Sequence, residues 1–322
     1  MTKRNASAGG SVTRRDFMGA LGGLVAVAGL PSFAADDPAL FPQRGGWERL
    51  MITARHINAG ASKPFSILHI SDTHLTAAYP HDSEWAQREA GVRAKTFGGR
   101  QEEALRDSLA WARAHVDYVL HTGDLIDFRS EANLDLARKY YGEGGAAMFG
   151  SLGNHEFYYG QPRAEQNESG KAASRAQLAA AYPFDISLAS TVVNGVNFVA
   201  LDNVYDTVTA EQATKFEAEV KKGLPVILCM HCPFQLIGVN RASRKFWATK
   251  ALKTVPDMSG YSESYRDATT SDFVKYLKAQ PLLKAILAGH AHIDVEERFS
   301  PTAMQYVVGG NFLFHGAEVT FS

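Results

Sequence analysis

The chain has 322 residues, 45% of them apolar, with 33 basic and 34 acidic side chains and a formal net charge of −1. That length and apolar content are enough to bury a large core. A near-neutral balance excludes global attraction to nucleic acid or to an anionic membrane, so any anion has to be recognised locally. Length alone suggests about two domains, yet no Pro-, Gly- or Ser-rich linker divides the body, and one domain with insertions is expected.

At the N-terminus, Thr13-Arg14-Arg15-Asp16-Phe17-Met18 precedes a short apolar run from Gly19 to Leu30, followed by Pro31-Ser32-Phe33-Ala34-Ala35 and acidic Asp36-Asp37. A basic region, a brief apolar stretch and a small-residue cleavage pattern describe a secretory signal, and the paired arginines resemble the twin-arginine type. Residues 1–34 are therefore expected to be a signal cleaved after Ala34. The implied partner is the twin-arginine export machinery, and the implied address is periplasmic or extracellular. A membrane anchor is the competing reading, but the run falls well short of the roughly 20 residues that span a bilayer. No transmembrane segment is expected in the mature chain. Residues 35–63 read as a lead-in to a domain at 64–322.

Along that domain, short apolar runs end in polar clusters. Pro64 to Ile70 runs into Ser71-Asp72-Thr73-His74, and Tyr118 to Leu120 into His121-Thr122-Gly123-Asp124. Ala147 to Leu152 leads to Gly153-Asn154-His155-Glu156, Val226 to Met230 to His231, and Leu282 to Ala288 to Gly289-His290-Ala291-His292. Each reads as a strand with its C-terminal loop. Helical patterns at Gln101–His115, Ala210–Lys222 and Ser271–Lys278 alternate with them. This alternation predicts an α/β fold with parallel pairing, whose loops gather at the carboxyl ends of the strands. Asn194-Gly195 between two β-rich segments predicts a hairpin, and Met304–Val308 and Ala317–Phe321 read as strands, so a second, partly antiparallel sheet is expected.

Carboxylate and amide oxygens suit hard cations, while iron, zinc and manganese also accept imidazole; Asp, Asn and His at strand ends thus read as a mixed metal site. Asp72 and His74 lie two apart, as do His290 and His292, and in an extended segment such pairs point the same way. Asp124 has two oxygens and can bridge two ions, which would then lie about 3.5–4 Å apart. Asp127 is expected to orient a ligand or its loop. His69 and His121 are read as supporting or core residues. Asp202-Asn203 either borders the pocket or only forms a turn. Cys229 and Cys232 flank His231 and are read as buried thiols, with a disulfide as the alternative.

The ordered set Asp72-x-His74, Gly123-Asp124-x-x-Asp127, Gly153-Asn154-His155-Glu156, His231 and Gly289-His290-x-His292 resembles the calcineurin-like metallophosphoesterase family from Ile67 to about Phe321. The resemblance implies a four-layer α/β/β/α sandwich of two mixed sheets. It implies one metal on Asp72, His74, Asp124 and His292, and another on Asp124, Asn154, His231 and His290. The expected cofactors are two divalent or trivalent ions among iron, manganese and zinc. Members with a tyrosine iron ligand, the purple acid phosphatases, are a poor match, because Leu125, Ile126, Asp127 and Phe128 offer none. The implied activity is hydrolysis of a phosphate ester, mono- or diester, by metal-activated hydroxide, with Asp124 and His155 as the catalytic pair and His155 protonating the leaving group. A small-molecule or lipid ester is the expected substrate. A metal-bearing scaffold that binds partners without catalysis is the alternative. Pro233–Thr270, with Arg241, Arg244, Lys245, Lys250, Lys253 and Arg266 among Phe246, Trp247 and Tyr261, is a candidate substrate cap, with a solvated basic helix whose aromatics pack inward as the alternative. Leu75–Arg100 offers Lys95 and Arg100 for phosphate contact.

Overall fold

The computed structural model describes residues 49–143, 147–249 and 267–322. The expected signal lies outside the described residues, as do Lys250, Lys253, Tyr261 and Arg266 of the expected cap.

In chain order the elements are β1 (Met51–Ile57), β2 (Phe65–Ile70), α1 (Glu84–Thr96), α2 (Gln101–His115), β3 (Tyr118–Thr122), α3 (Glu131–Glu143), β4 (Ala147–Ser151), α4 (Glu168–Ala181), β5 (Leu188–Val193) and β6 (Val196–Leu201). Then follow α5 (Ala210–Val220), β7 (Val226–Met230), α6 (Ile237–Thr249), α7 (Ala268–Ala279), β8 (Leu283–Ala288), β9 (Val295–Arg298), β10 (Met304–Val307) and β11 (His315–Phe321). One sheet runs β1-β11-β2-β3-β4 and the other β5-β6-β7-β8-β10-β9. Both are mixed. In the first, β2, β3 and β4 are parallel and β11 is antiparallel to β2. In the second, β6, β7, β8 and β10 are parallel, with antiparallel β5 and β9 at the edges.

The two-residue period of a strand explains the layering. Ile67, Leu120, Phe149, Val319 and Phe321 of the first sheet pack against Phe198, Ala200, Ile227, Cys229, Ala285 and Leu287 of the second. The alternate residues face outward. Leu68, Ile70 and Val119 meet Leu105 and Leu109 of α2, while Val199, Leu228 and Ile286 meet Phe216 of α5 and Phe273 and Leu277 of α7. Four layers result: helices, sheet, sheet, helices. Local chemistry sets several helix starts, since Ser83, Asn167 and Asp267 accept a backbone N–H at α1, α4 and α7, and Thr209 with Gln212 forms a capping box at α5.

Two further stretches gain definition. The stretch 35–63 is not only a lead-in, because β1 pairs in parallel with β11 from Met51↔His315 to Ile57↔Phe321. The connection from Pro233 contains helix α6. Its apolar face, with Val239, Ala242 and Phe246, packs on Ala291, Ile293 and Val307. Among the described residues no helix is long and apolar enough to cross a membrane.

The inter-sheet core sets stability. Phe198 is 1% exposed and meets Phe149 and Phe321 edge-on at 5.4 and 5.1 Å. Phe198→Ala should cost about 3–5 kcal/mol in denaturant unfolding, whereas Val192→Ala, at a site 41% exposed, should stay within about 0.5 kcal/mol.

Candidate metal centre

The loops after β2, β3, β4, β7 and β8 carry the metal-binding residue types to one edge, at the carboxyl ends of parallel strands. Their backbone is unusual. Asp72, His74, Asp124, His290 and His292 all have positive φ, from 54° at His74 to 67° at His290. The pairs two residues apart therefore converge through left-handed turns and not, as expected from the sequence, through extended chain. Such conformations cost about 1–3 kcal/mol each for residues other than glycine and persist only where their surroundings fix them. Here the loops brace one another: Asp72 N–H donates to Gly123 O at 3.0 Å, His74 N–H to Asp124 O at 2.9 Å, and His290 N–H to Asp72 Oδ2 at 2.8 Å. Two glycines make room for this. A Cβ on Gly153 would lie 2.2 Å from Asp124 Oδ1, and one on Gly289 would lie 1.8 Å from Ser71 Oγ.

The side chains fall into two groups that meet at Asp124. Ligand atoms of Asp72, His74 and His292 lie within 4.8 Å of one another, as do those of Asp124, His231 and His290. In the first, His292 Nε2 is 3.2 Å from Asp72 Oδ1 and 3.1 Å from His74 Nε2. In the second, His231 Nε2 is 3.1 Å from Asp124 Oδ2, 3.2 Å from Asn154 Oδ1 and 3.2 Å from His290 Nδ1. Asp124 Oδ2 also lies 3.8 Å from His74 Nε2, so one oxygen faces both groups. A third set joins His74, Asp124 and His155 within the same 4.8 Å.

This donor set fits cations. His74 Nδ1–H donates to Asp127 Oδ1 at 2.8 Å and His231 Nδ1–H to Thr122 O at 2.7 Å, which turns each Nε2 inward toward acceptor oxygens. Buried Asp72 Oδ1 faces His292 Nε2 at 3.2 Å without a hydrogen bond of good geometry, an expensive state that a metal ion relieves. The field points the same way: burial alone would lower His231, yet Asp124 pushes it up to about 9.

Asp127 is the hub of the surroundings. It accepts from His74, stands 3.1 Å from His155 Nδ1, and is gripped by Arg93 through Nε at 2.5 Å and Nη2 at 2.8 Å. His155 Nδ1–H donates to Asp127 O at 2.7 Å, so its Nε2 is the ring nitrogen left for a ligand. Burial opposes charge on His155, but the carboxylates of Asp124 and Asp127 push it up to about 10. Glu156 accepts N–H groups of Asp124, Leu125 and Gly153 at 3.0, 2.8 and 2.8 Å, tying the β3 and β4 loops together. His69 and His121 bond Thr122 Oγ1 and Thr73 Oγ1 and support the ligand loops without entering either cluster; burial drives both down to about 3, which keeps them neutral.

The basic residues of Leu75–Arg100 resolve differently from expectation. Arg100 pairs with Glu103 at 2.7 Å, and Lys95 is exposed; Arg93, which sequence reasoning passed over, is the basic residue of that stretch that reaches the centre. Asp202 pairs with fully buried Lys171 at 3.0 Å, and Asn203 clamps the Cys232 backbone through bonds of 2.7 and 3.1 Å. Cys229 and Cys232 are buried free thiols, as expected. Arg241, Arg244 and Lys245 are exposed on α6.

A family model described as calcineurin-like phosphoesterase matches residues 65–294. No curated protein matches the sequence. Among solved structures, the chain is similar to a dimetal phosphatase from Danio rerio, at 16% identity and TM-score 0.46, over 77% of this chain and 88% of that one. It is also similar to a purple acid phosphatase from yellow lupin, at 14% identity and TM-score 0.46, over 78% and 45% of the two chains. A 5'-nucleotidase from Candida albicans follows at 13% identity and TM-score 0.41, over 82% and 48%.

The bracing has a measurable consequence. Asp127→Ala frees His74 and strands Arg93, and should weaken metal affinity about 10–100-fold in a chelator competition. Gly153→Ala should displace the Asp124 carboxylate and lower bound metal below the wild-type content; full metal content in this variant would show that the close approach is not required.

Proposed function

Because this chain belongs to the calcineurin-like phosphoesterase family, we propose that it is a phosphomonoesterase or phosphodiesterase working at a two-metal centre. Asp72, His74, Asp124 and His292 hold one ion, and Asp124, Asn154, His231 and His290 the other. The observation that carries this reading is Asp124 Oδ2, which faces His231 Nε2 at 3.1 Å and His74 Nε2 at 3.8 Å. Iron, manganese and zinc all suit so mixed a set of oxygen and nitrogen donors. When bound, such ions acidify water and offset charge on the oxygens of a transferring phosphoryl group.

The chain's own residues do the rest. Asp127 fixes the tautomer and orientation of His74 and His155 together. His155, 23% exposed at its side chain and held through Nδ1, delivers a proton from Nε2 to the departing alkoxide. The substrate is a small-molecule or lipid phosphate ester. The place of action is proposed from Thr13–Met18 and the apolar run behind it, which lie outside the described residues. Twin-arginine export carries folded chains, so the ions would be taken up before export.

p-Nitrophenyl phosphate and bis-p-nitrophenyl phosphate should separate monoesterase from diesterase activity, and chelation should abolish both. Asp124→Asn should remove hydrolysis together with metal, whereas His155→Asn should keep metal and lose about 10²-fold in kcat. Two bound metals without hydrolysis of either ester, or of a wider ester panel, would replace the enzyme with a binding scaffold. Lysine at both Arg14 and Arg15 should hold the chain in the cytoplasmic fraction; unchanged export would remove the twin-arginine assignment.

A further inference from the structure

Building on that phosphoesterase reading, we propose that Trp247 forms the leaving-group subsite: its indole ring receives a flat, apolar leaving group and its N–H donates to a phosphoryl oxygen. The placement is set by packing. The apolar stripe of α6, Val239, Ala242 and Phe246, rests on Ala291, Ile293 and Val307, directly at the loop that carries His290 and His292. The start of the helix is pinned where Val239 N–H donates to Glu297 Oε2 at 3.0 Å. This support holds the Trp247 ring 5.1 Å from the His292 ring at an angle of 46°, with Phe246 edge-on behind it at 5.3 Å.

Trp247 differs from the other rings at the centre. Phe97 is stacked on His74 at 4.3 Å and covered by the Arg93 guanidinium at 4.8 Å, so it braces a ligand. Phe312 meets His74, His292 and Phe97 edge-on. Neither ring carries a polar atom. Trp247 is only half-buried, while its Nε1 is buried with no hydrogen-bond partner. An indole nitrogen can only donate, and a buried donor without an acceptor is a state that proteins avoid. An ester held at the centre brings phosphoryl oxygens beside His292 and supplies that acceptor. Phe97, Phe312 and Trp247 all border the Asp72–His74–His292 half, so the organic part of the ester lies over that half.

Non-hydrolysable probes test this without relying on turnover. Calorimetric titration of the metal-loaded chain with phenylphosphonate and with methylphosphonate should show tighter binding of the phenyl ligand by about fivefold. Trp247→Ala should erase that preference at unchanged metal content. Trp247→Phe keeps a ring but no donor, so it should retain the preference while weakening both ligands by a similar factor of about five. Equal affinity of the wild-type chain for the two ligands, or a preference that survives Trp247→Ala, would overturn the subsite and leave the phosphoesterase reading standing. Failure of the chain to bind either phosphonate with two metals in place would overturn that reading and the subsite with it.

Discussion

A carboxylate that serves two neighbours must keep one oxygen free and must not turn, and the centre depends on Asp124 meeting both conditions. Its Oδ1 is occupied by the His155 N–H at 2.9 Å, and its own N–H is tied to Glu156 at 3.0 Å. Gly153 leaves the space that this oxygen fills. Only Oδ2 remains, aimed at His231 and His74. The β3 and β4 loops are thereby locked to each other before any ligand arrives, which is how preorganised sites lower the reorganisation that binding would otherwise require.

Such a site is unstable when considered alone. Five strained backbones, converging acceptors and an Asp72 oxygen without a hydrogen bond all oppose folding. Two devices offset them. The inter-sheet core around Phe65, Phe149, Phe198 and Phe321 is aromatic and buried, and it lies against the same strands whose ends carry the site. A second polar centre, Lys171 with Asp202 and Glu168 at 3.0 Å each, is paired internally. It anchors α4 to the end of β6. Buried pairs of this kind add little net stability but are costly to break singly, so they fix where elements sit.

Much of this was legible in the sequence, and the reason is physical. Buried parallel strands are continuous apolar runs, and they stop where the chain must turn polar, so Ile70, Thr122, Met230 and Ala288 mark the loops that carry Asp72, Asp124, His231 and His290. Edges and covers were harder. β1 has mostly part-exposed or exposed side chains and gains its identity from β11, far along the chain. In α6 the apolar stripe is interleaved with Arg241, Arg244 and Lys245, and in α4 the buried face includes Lys171 and Ser174. The α4 face carries no local pattern, whereas Val239, Ala242 and Phe246 of α6 recur at helical spacing. Arg93 was invisible for another reason: its partner Asp127 is 34 residues away and meets it only through the tertiary fold. The left-handed turns at the ligands also escaped, because Asp and His carry no glycine-like signature.

Strand β11 sits inside the first sheet, between β1 and β2, although it is contributed by residues 315–321. During synthesis β2, β3 and β4 emerge with their ligand loops, but the sheet has a gap until residues 315–321 insert antiparallel to β2 and pair with β1 on their other side. Long-range pairing of that kind is slow and cooperative, since loop closure must come before the contacts that reward it. Until then Val319 and Phe321 leave the inter-sheet core unfilled. The centre is therefore completed by residues 315–321, and a form lacking them would carry every ligand residue without the frame that brings them together.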